Sequence, residues 1–133
     1  MKRWVGSAAI CINERNEVLM VRGNDSDRWA VPSGGIEIGE TSEDCCIREV
    51  REETGYDVRI LEKLNVKEIV LKGFEVQTHY FKVEKTGDSA GINDPDGTIV
   101  EAAWKSLSNL HDLDHMYPED VQTILGCSDL IIG

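Results

Sequence analysis

The stretch from Ser33 to Tyr56, SGGIEIGETSEDCCIREVREETGY, constrains this chain more than any other, because it specifies a helix start, a helix stop and a conflict of charge together. Thr41 or Ser42 can accept from the first free backbone N–H groups, Asp44 follows Thr41 at capping-box spacing, and Glu43 suits the positive end of the dipole. Gly55 supplies the left-handed residue on which a helix ends near Thr54. Ahead of it, Gly34, Gly35 and Gly39 predict a tight, irregular loop. At 3.6 residues per turn Glu49, Glu52 and Glu53 fall in one sector, where like charges repel. Arg48 lies four residues before Glu52 and can pair with it. Three clustered carboxylates, with Glu40 and loop carbonyl oxygens nearby, are the hard-oxygen surroundings that Mg²⁺ or Mn²⁺ prefers, and a divalent ion would offset the repulsion. Cys46, Ile47, Val50 and Thr54 form a more apolar side that can dock on a sheet.

Around this segment the chain reads as strands. WVGSAAICI and EVLMV flank a polar turn at Asn13 to Asn16 and predict a hairpin. WAV is a short extended piece ended by Pro32. DVRILEKLNVKEIVL and FEVQTHYFKVE, separated by Lys72 and Gly73, predict antiparallel strands; KTGDSAGINDPDG is a loop and TIVEAAWKSL returns to strand. Pro118 suits the first turn of a last helix, roughly PEDVQTIL, before a short tail. No repeat or linker interrupts the 133 residues, which predicts one domain over residues 1–133. The order of elements indicates an α+β fold, an α/β/α sandwich with a mixed sheet between helices.

Fourteen basic against twenty-five acidic residues give a net charge of −11, which disfavours extended nucleic-acid binding but leaves a small anionic substrate open where metal supplies positive charge. No apolar run approaches a membrane span and the N-terminus lacks a signal-peptide pattern, so the expected location is the cytoplasm. Cys11, Cys45, Cys46 and Cys127 form no C-x-x-C pair and read as reduced, buried thiols.

Gly34, Glu40, Arg48, Glu49, Val50, Glu52, Glu53, Gly55 and Tyr56 stand at the spacing of the Nudix box, and the chain resembles Nudix hydrolases of the MutT-like kind. AAICINERNEVLMVRG, WAVPSGG and DPDGTIVEAAWKSL look like the flanking segments of that family. The resemblance implies the Nudix fold and metal-dependent hydrolysis of the pyrophosphate linkage in a nucleoside diphosphate joined to another group, with a nucleoside triphosphate or related nucleotide expected first. Carried over residue by residue, Glu49, Glu52 and Glu53 would ligate Mg²⁺ or Mn²⁺, and Arg48, Glu52 and Glu53 would serve catalysis. Ser33, where many members have glycine, keeps the backbone carbonyl that often reaches a metal. Tyr56 is bulkier than the usual aliphatic residue. Glu40 would support the loop.

The base in such enzymes is a box glutamate or a later carboxylate, here Asp94, Asp96 or Glu101. Arg22, Trp29 and Glu101 are the candidate substrate contacts; packing is the alternative for Trp29 and Trp104, and surface or structural roles for Arg22, His79, His111 and His115. The chain's only prolines, Pro32, Pro95 and Pro118, do not match the signatures that follow the box in NADH pyrophosphatases and many ADP-ribose pyrophosphatases. The other reading is a nucleotide-sensing or protein-binding module with weak turnover. The expected assembly is a monomer or homodimer with no membrane partner.

Overall fold

The computed structural model describes residues 2–128. The tail expected after the last helix lies outside them. Strands β1 (Lys2–Cys11), β2 (Glu17–Gly23), β3 (Trp29–Ala30) and β4 (Ser33–Gly35) precede helix α1 (Ser42–Thr54). Then follow β5 (Val58–Leu71), β6 (Phe74–Lys85), β7 (Ile99–Ser106), a 3₁₀ turn at Leu107–Asp112 and α2 (Asp120–Gly126). The strands form two sheets, a four-stranded mixed one in the order β4-β1-β6-β5 and a three-stranded antiparallel one in the order β3-β2-β7.

The expected hairpin of β1 and β2 is corrected by this arrangement. The turn is present, with Asn16 at φ 58° and the Asn13 side chain accepting from the Arg15 and Glu17 N–H groups. The strands, however, diverge after a single bridge between Ile12 and Val18 and enter different sheets. Both edges of β1 are already occupied, by β4 antiparallel and β6 parallel, so no ladder remains for β2. The β5–β6 hairpin is as expected, with Lys72 at φ 51° and Gly73 at φ 82° making its two-residue turn.

Side-chain alternation along β1 divides the core. Ala9 and Cys11 join Phe81 and Val83 under Cys46 and Val50 of α1, whereas Ala8 and Ile10 face Met20, Leu110, Val121 and Ile124. A central strand buried on both faces explains the continuous apolar run of GSAAICI. The four cysteines are all buried and free, as expected. Among the described residues no helix is long and apolar enough to cross a membrane.

Helix α1 starts and stops where its end signals lie. The Thr41 hydroxyl accepts from the Asp44 N–H at 3.0 Å, and Gly55 takes the left-handed conformation with its N–H on the Arg51 carbonyl. The loop between β6 and β7 closes this end: the Asn93 N–H donates to the Glu52 carbonyl, the Ser89 hydroxyl to that of Thr54 and the Ala90 N–H to that of Gly55. A Cβ on Gly55 would stand 2.4 Å from the Gly91 backbone and force a residue with a side chain into φ +80°. Gly55→Ala is therefore expected to lower Tm by roughly 5–10 °C in a calorimetric scan. Gly39→Ala, at φ +82° with nothing within 4 Å, should cost clearly less. Equal losses would show that the contact with Gly91 contributes nothing.

Candidate active site

The acidic sector of α1 faces β4, the edge strand of the mixed sheet. Two anchors set this placement: the buried Ser7 hydroxyl of β1 donates to the Ser42 carbonyl at 2.7 Å, and the Ser33 N–H donates to Glu53 Oε1 at 3.0 Å. Within a strand a residue's N–H and C=O leave on the same edge, so the Ser33 carbonyl also leaves β4 on the side of the carboxylates. An edge strand with unpaired polar groups is ordinarily a liability, but here those groups are turned onto glutamates.

The glycines of this segment play a different part from the one expected. Gly34 and Gly35 lie in strand β4, and only Gly39 of the three has a positive φ. A Cβ on Gly34 would stand 2.1–2.4 Å from the Glu49 carboxylate, and one on Gly35 would press on the Trp4 ring. The need at Gly34 is for close approach of a side chain rather than for an unusual backbone.

The positive charge demanded by the acidic sector is the guanidinium of Arg48. Its Nε and Nη2 grip the two oxygens of Glu40 at 2.7 and 2.9 Å, Nη1 reaches Glu49 at 2.8 Å and Glu52 at 3.2 Å, and Nη2 also donates to the Gly35 carbonyl at 2.9 Å. Every N–H of the group is thereby used. One cation thus stands among four carboxyl groups, Glu40, Glu49, Glu52 and Glu53. Hydrogen bonds from Arg48 hold Glu40 below its ordinary pKa. Burial, opposed by Arg48, raises Glu49 to about 6. Burial, reinforced by the charge of Glu49, raises Glu53 to about 9.

This charge balance gives a test. The folded pKa of Glu53 lies above the roughly 4.3 of a free glutamate, so between those values the native state binds the additional proton and stability falls as pH rises. Without divalent metal, Tm should decline from about pH 5 to pH 9, and Glu53→Gln should flatten that decline in calorimetric scans. Parallel profiles for the two proteins would contradict the burial of an uncompensated carboxyl.

Among the described residues no three His, Cys, Asp or Glu side chains are grouped so as to enclose an ion as they stand. The hydrogen bonds account for this, since Arg48 draws oxygens of Glu49 and Glu52 toward itself while Ser33 holds Glu53. The donor set nevertheless fits a hard divalent cation: three carboxylates, two of them protonated more readily than free glutamates, stand beside an open carbonyl edge.

The later carboxylates divide. Asp94 stands close enough for its charge to raise Glu49 and Glu53. Its own carboxylate accepts from Asp96 N–H at 3.1 Å, Thr98 N–H at 2.9 Å, Thr98 Oγ1 at 3.0 Å and Ile99 N–H at 2.9 Å. Burial works against its charged form, but these bonds prevail and hold the pKa low. That is the chemistry of a loop clamp, poor for a base. Glu101 pairs with Arg22 at 3.2 Å across β7 and β2, and no hydrogen bond or ion pair of either reaches the α1 glutamates. Trp29 is buried in the core with Lys105 Nζ 3.8 Å from its ring centre. Trp104 donates to the Tyr56 hydroxyl, and His115 Nε2 lies 2.6 Å from the Leu110 carbonyl.

A family model described as the NUDIX domain matches residues 2–125. The chain belongs to the Nudix family. It is 33% identical over 85 residues to a Bacillus subtilis (strain 168) protein provisionally named 8-oxo-dGTP diphosphatase, covering 64% of this chain and 56% of that one. Nudix hydrolase 5 of Arabidopsis thaliana is 32% identical over 106 residues, which are 75% of this chain and 35% of that protein. The chain thus spans about half the length of the first relative and a third of the second. The solved NUDIX hydrolase from Nitrosomonas europaea has the same fold, with a TM-score of 0.80 at 24% identity over 94% of this chain and 87% of that one. In this Nudix domain the box is therefore a single physical unit: α1 carries the carboxylates, β4 offers them its free edge, and Arg48 ties both to Glu40.

Proposed function

We propose that this Nudix domain hydrolyses the pyrophosphate linkage of a nucleoside diphosphate joined to another group, foremost a nucleoside triphosphate, in a reaction that depends on Mg²⁺ or Mn²⁺. The observation that carries the reading is the attachment of the acidic sector to the edge of β4: buried Glu53 accepts from Ser33 N–H, Glu49 lies against Gly34, and Arg48 joins Glu49 and Glu52 to the Gly35 carbonyl. The name of the Bacillus subtilis relative supports a nucleoside triphosphate as substrate.

Glu49, Glu52 and Glu53, with the Ser33 carbonyl, would hold the ion, which supplies Lewis acidity toward phosphate oxygens and lowers the pKa of water. Arg48 orients Glu49 and Glu52 and ties them to Glu40, so the carboxylates are in place before substrate arrives. With Asp94 saturated by backbone donors, Glu52 is the group we assign to positioning the attacking water and taking its proton. Its side chain, about a quarter exposed, is the most open of the three in the sector. Arg22 and Glu101, paired on the second sheet, remain outer contacts for the substrate in this proposal, whereas Trp29, expected as a third, packs in the core instead. Four buried thiols suit a reducing cytoplasm.

The test is release of phosphate or pyrophosphate from nucleoside triphosphates, ADP-ribose, dinucleoside polyphosphates and nucleotide sugars, with Mg²⁺, with Mn²⁺ and with chelator. Metal-dependent cleavage of a nucleoside triphosphate is the expected result. Absence of cleavage across the panel, in protein shown to bind Mn²⁺, would overturn the proposal in favour of a sensing module.

A further inference from the structure

Strand β5 is the outer strand of the mixed sheet, and the two halves of its free edge differ. Over the first half its ladder with β6 slips twice, between Ile60 and Glu62 and between Lys63 and Val66, and Arg59, Glu62 and Lys63 line it. Slips and charges of this kind keep an edge from pairing with another chain. From Val66 to Leu71 the ladder runs unbroken, without proline or glycine, and it ends in the apolar run Ile69, Val70 and Leu71. Val70 and Leu71 are 65% and 55% exposed, and Ile69, Phe74 and Trp4 in the same corner of the sheet are each more than a third exposed. A regular edge that ends in an apolar patch is a surface suited to pairing with a further strand.

The charges at this end identify the strand that fits. The chain carries −11, but from Val66 to Phe74 two lysines, Lys67 and Lys72, stand beside the single Glu68, so this corner does not share the general repulsion between copies. Lys67 is engaged within its own copy: Nζ lies 3.3 Å from Glu119 and 3.3 Å from Asp120, a buried carboxylate that also accepts from the Tyr80 hydroxyl at 2.7 Å. The charges left at the open edge are Glu68, bonded to the neutral Gln77 amide at 2.8 Å, and Lys72, exposed at the turn. One acid and one base, four residues apart, are complementary to a second copy of themselves running in the opposite direction.

Two copies related by a two-fold axis pair antiparallel, with one residue of β5 facing itself across the axis. An axis at Lys67 or Glu68 sets like charges opposite each other, and one at Val66 lays the partner over the slipped half. An axis at Ile69 sets Glu68 against Val70, and one at Leu71 sets Val70 against Lys72. An axis at Val70 alone matches like with like: Val70 faces Val70, Ile69 faces Leu71, and Glu68 comes to the end of the partner strand beside Lys72. We propose that the chain forms a homodimer in which the two β5 edges pair across Val70, joining two four-stranded mixed sheets into one. Ile69 and Leu71 also line a cavity of about 420 Å³ on their face of the sheet, so Leu71 of each copy extends the apolar wall of the other's cavity. The overlap is short, so the dimer is a weak one that forms with concentration.

Sedimentation equilibrium of the full chain from about 1 to 500 µM, in salt that screens the net charge beyond roughly 8 Å, tests the proposal. Wild type should show a reversible monomer–dimer equilibrium. Val70→Lys, which sets two ammonium groups face to face on the axis, should raise the dissociation constant by at least about 100-fold. Glu68→Lys and Lys72→Glu should each raise it by about 10-fold, and the two exchanges together should return it to within about threefold of wild type, a recovery that a merely weakened fold would not give. Far-UV circular dichroism identifies any variant that fails to fold, and the remaining variants then decide. A wild type that stays monomeric to about 500 µM, a dimer unaffected by Val70→Lys, or a double exchange no better than the single ones overturns the inference.

Discussion

Glu53→Gln is expected to leave a folded protein whose turnover falls on the order of 10³-fold or more, comparable to removal of a metal ligand together with its share of water activation. The substitution is nearly isosteric, and the amide oxygen can still accept from Ser33 N–H, so the anchor between α1 and β4 persists. What disappears is a carboxyl group that can ionise when a metal ion is bound. In metal-free protein that removal costs no stability above about pH 5, because burial already disfavours the ionised form. Steady-state kinetics in Mg²⁺, beside thermal melts in chelator, separate the two effects. Turnover within tenfold of wild type would remove Glu53 from the mechanism.

Arg48→Met should damage both stability and activity. The guanidinium is the common partner of Glu40, Glu49, Glu52 and the Gly35 carbonyl, and its side chain is 22% exposed. Taking away one member of such a cluster leaves several partly buried carboxylates facing one another, at a cost of about 3 kcal/mol. Turnover should fall about 10²-fold or more as Glu49 and Glu52 lose their orientation. Arg48→Lys should recover only part of either, since a point charge cannot span the two oxygens of Glu40 and the carbonyl together. Chemical denaturation and kcat measure the two effects. A methionine variant as stable as wild type would mean that the network is ornamental.

The parts of this structure legible in the sequence are those specified by neighbours along the chain. Thr41, Gly55, Lys72 and Gly73 mark ends and turns through local chemistry, and α1 and the β5–β6 hairpin follow from them. Strand β4 was hidden because it contains two glycines and three residues in all; it exists only through pairing with β1. The division of β1 and β2 between sheets was hidden for a related reason, since the competition for the edges of β1 involves β6, more than sixty residues away. At the site, the helical spacing of Glu49, Glu52 and Glu53 and their pairing with Arg48 could be read directly. The bidentate hold on Glu40, the burial of Glu53 and the commitment of Asp94 to its own loop depend on packing. Away from the site, Asp120 was the least visible. It sits in the polar run YPED, and nothing local distinguishes it from its exposed neighbour Glu119 until Tyr80 and Lys67 are brought to it by the sheet.

The central claim is that the helix carboxylates and the edge of β4 form one divalent-metal site. Titration of Mn²⁺ into wild type, Glu49→Gln and Glu53→Gln, followed by electron paramagnetic resonance of the free ion at several pH values, tests it most directly. The account predicts bound Mn²⁺ in wild type, affinity that strengthens as pH rises from about 6 to 9 because the ion displaces protons from Glu49 and Glu53, and a loss of at least about tenfold in each variant. Mn²⁺ binding that is absent in wild type, or unchanged in both variants and flat with pH, would contradict it.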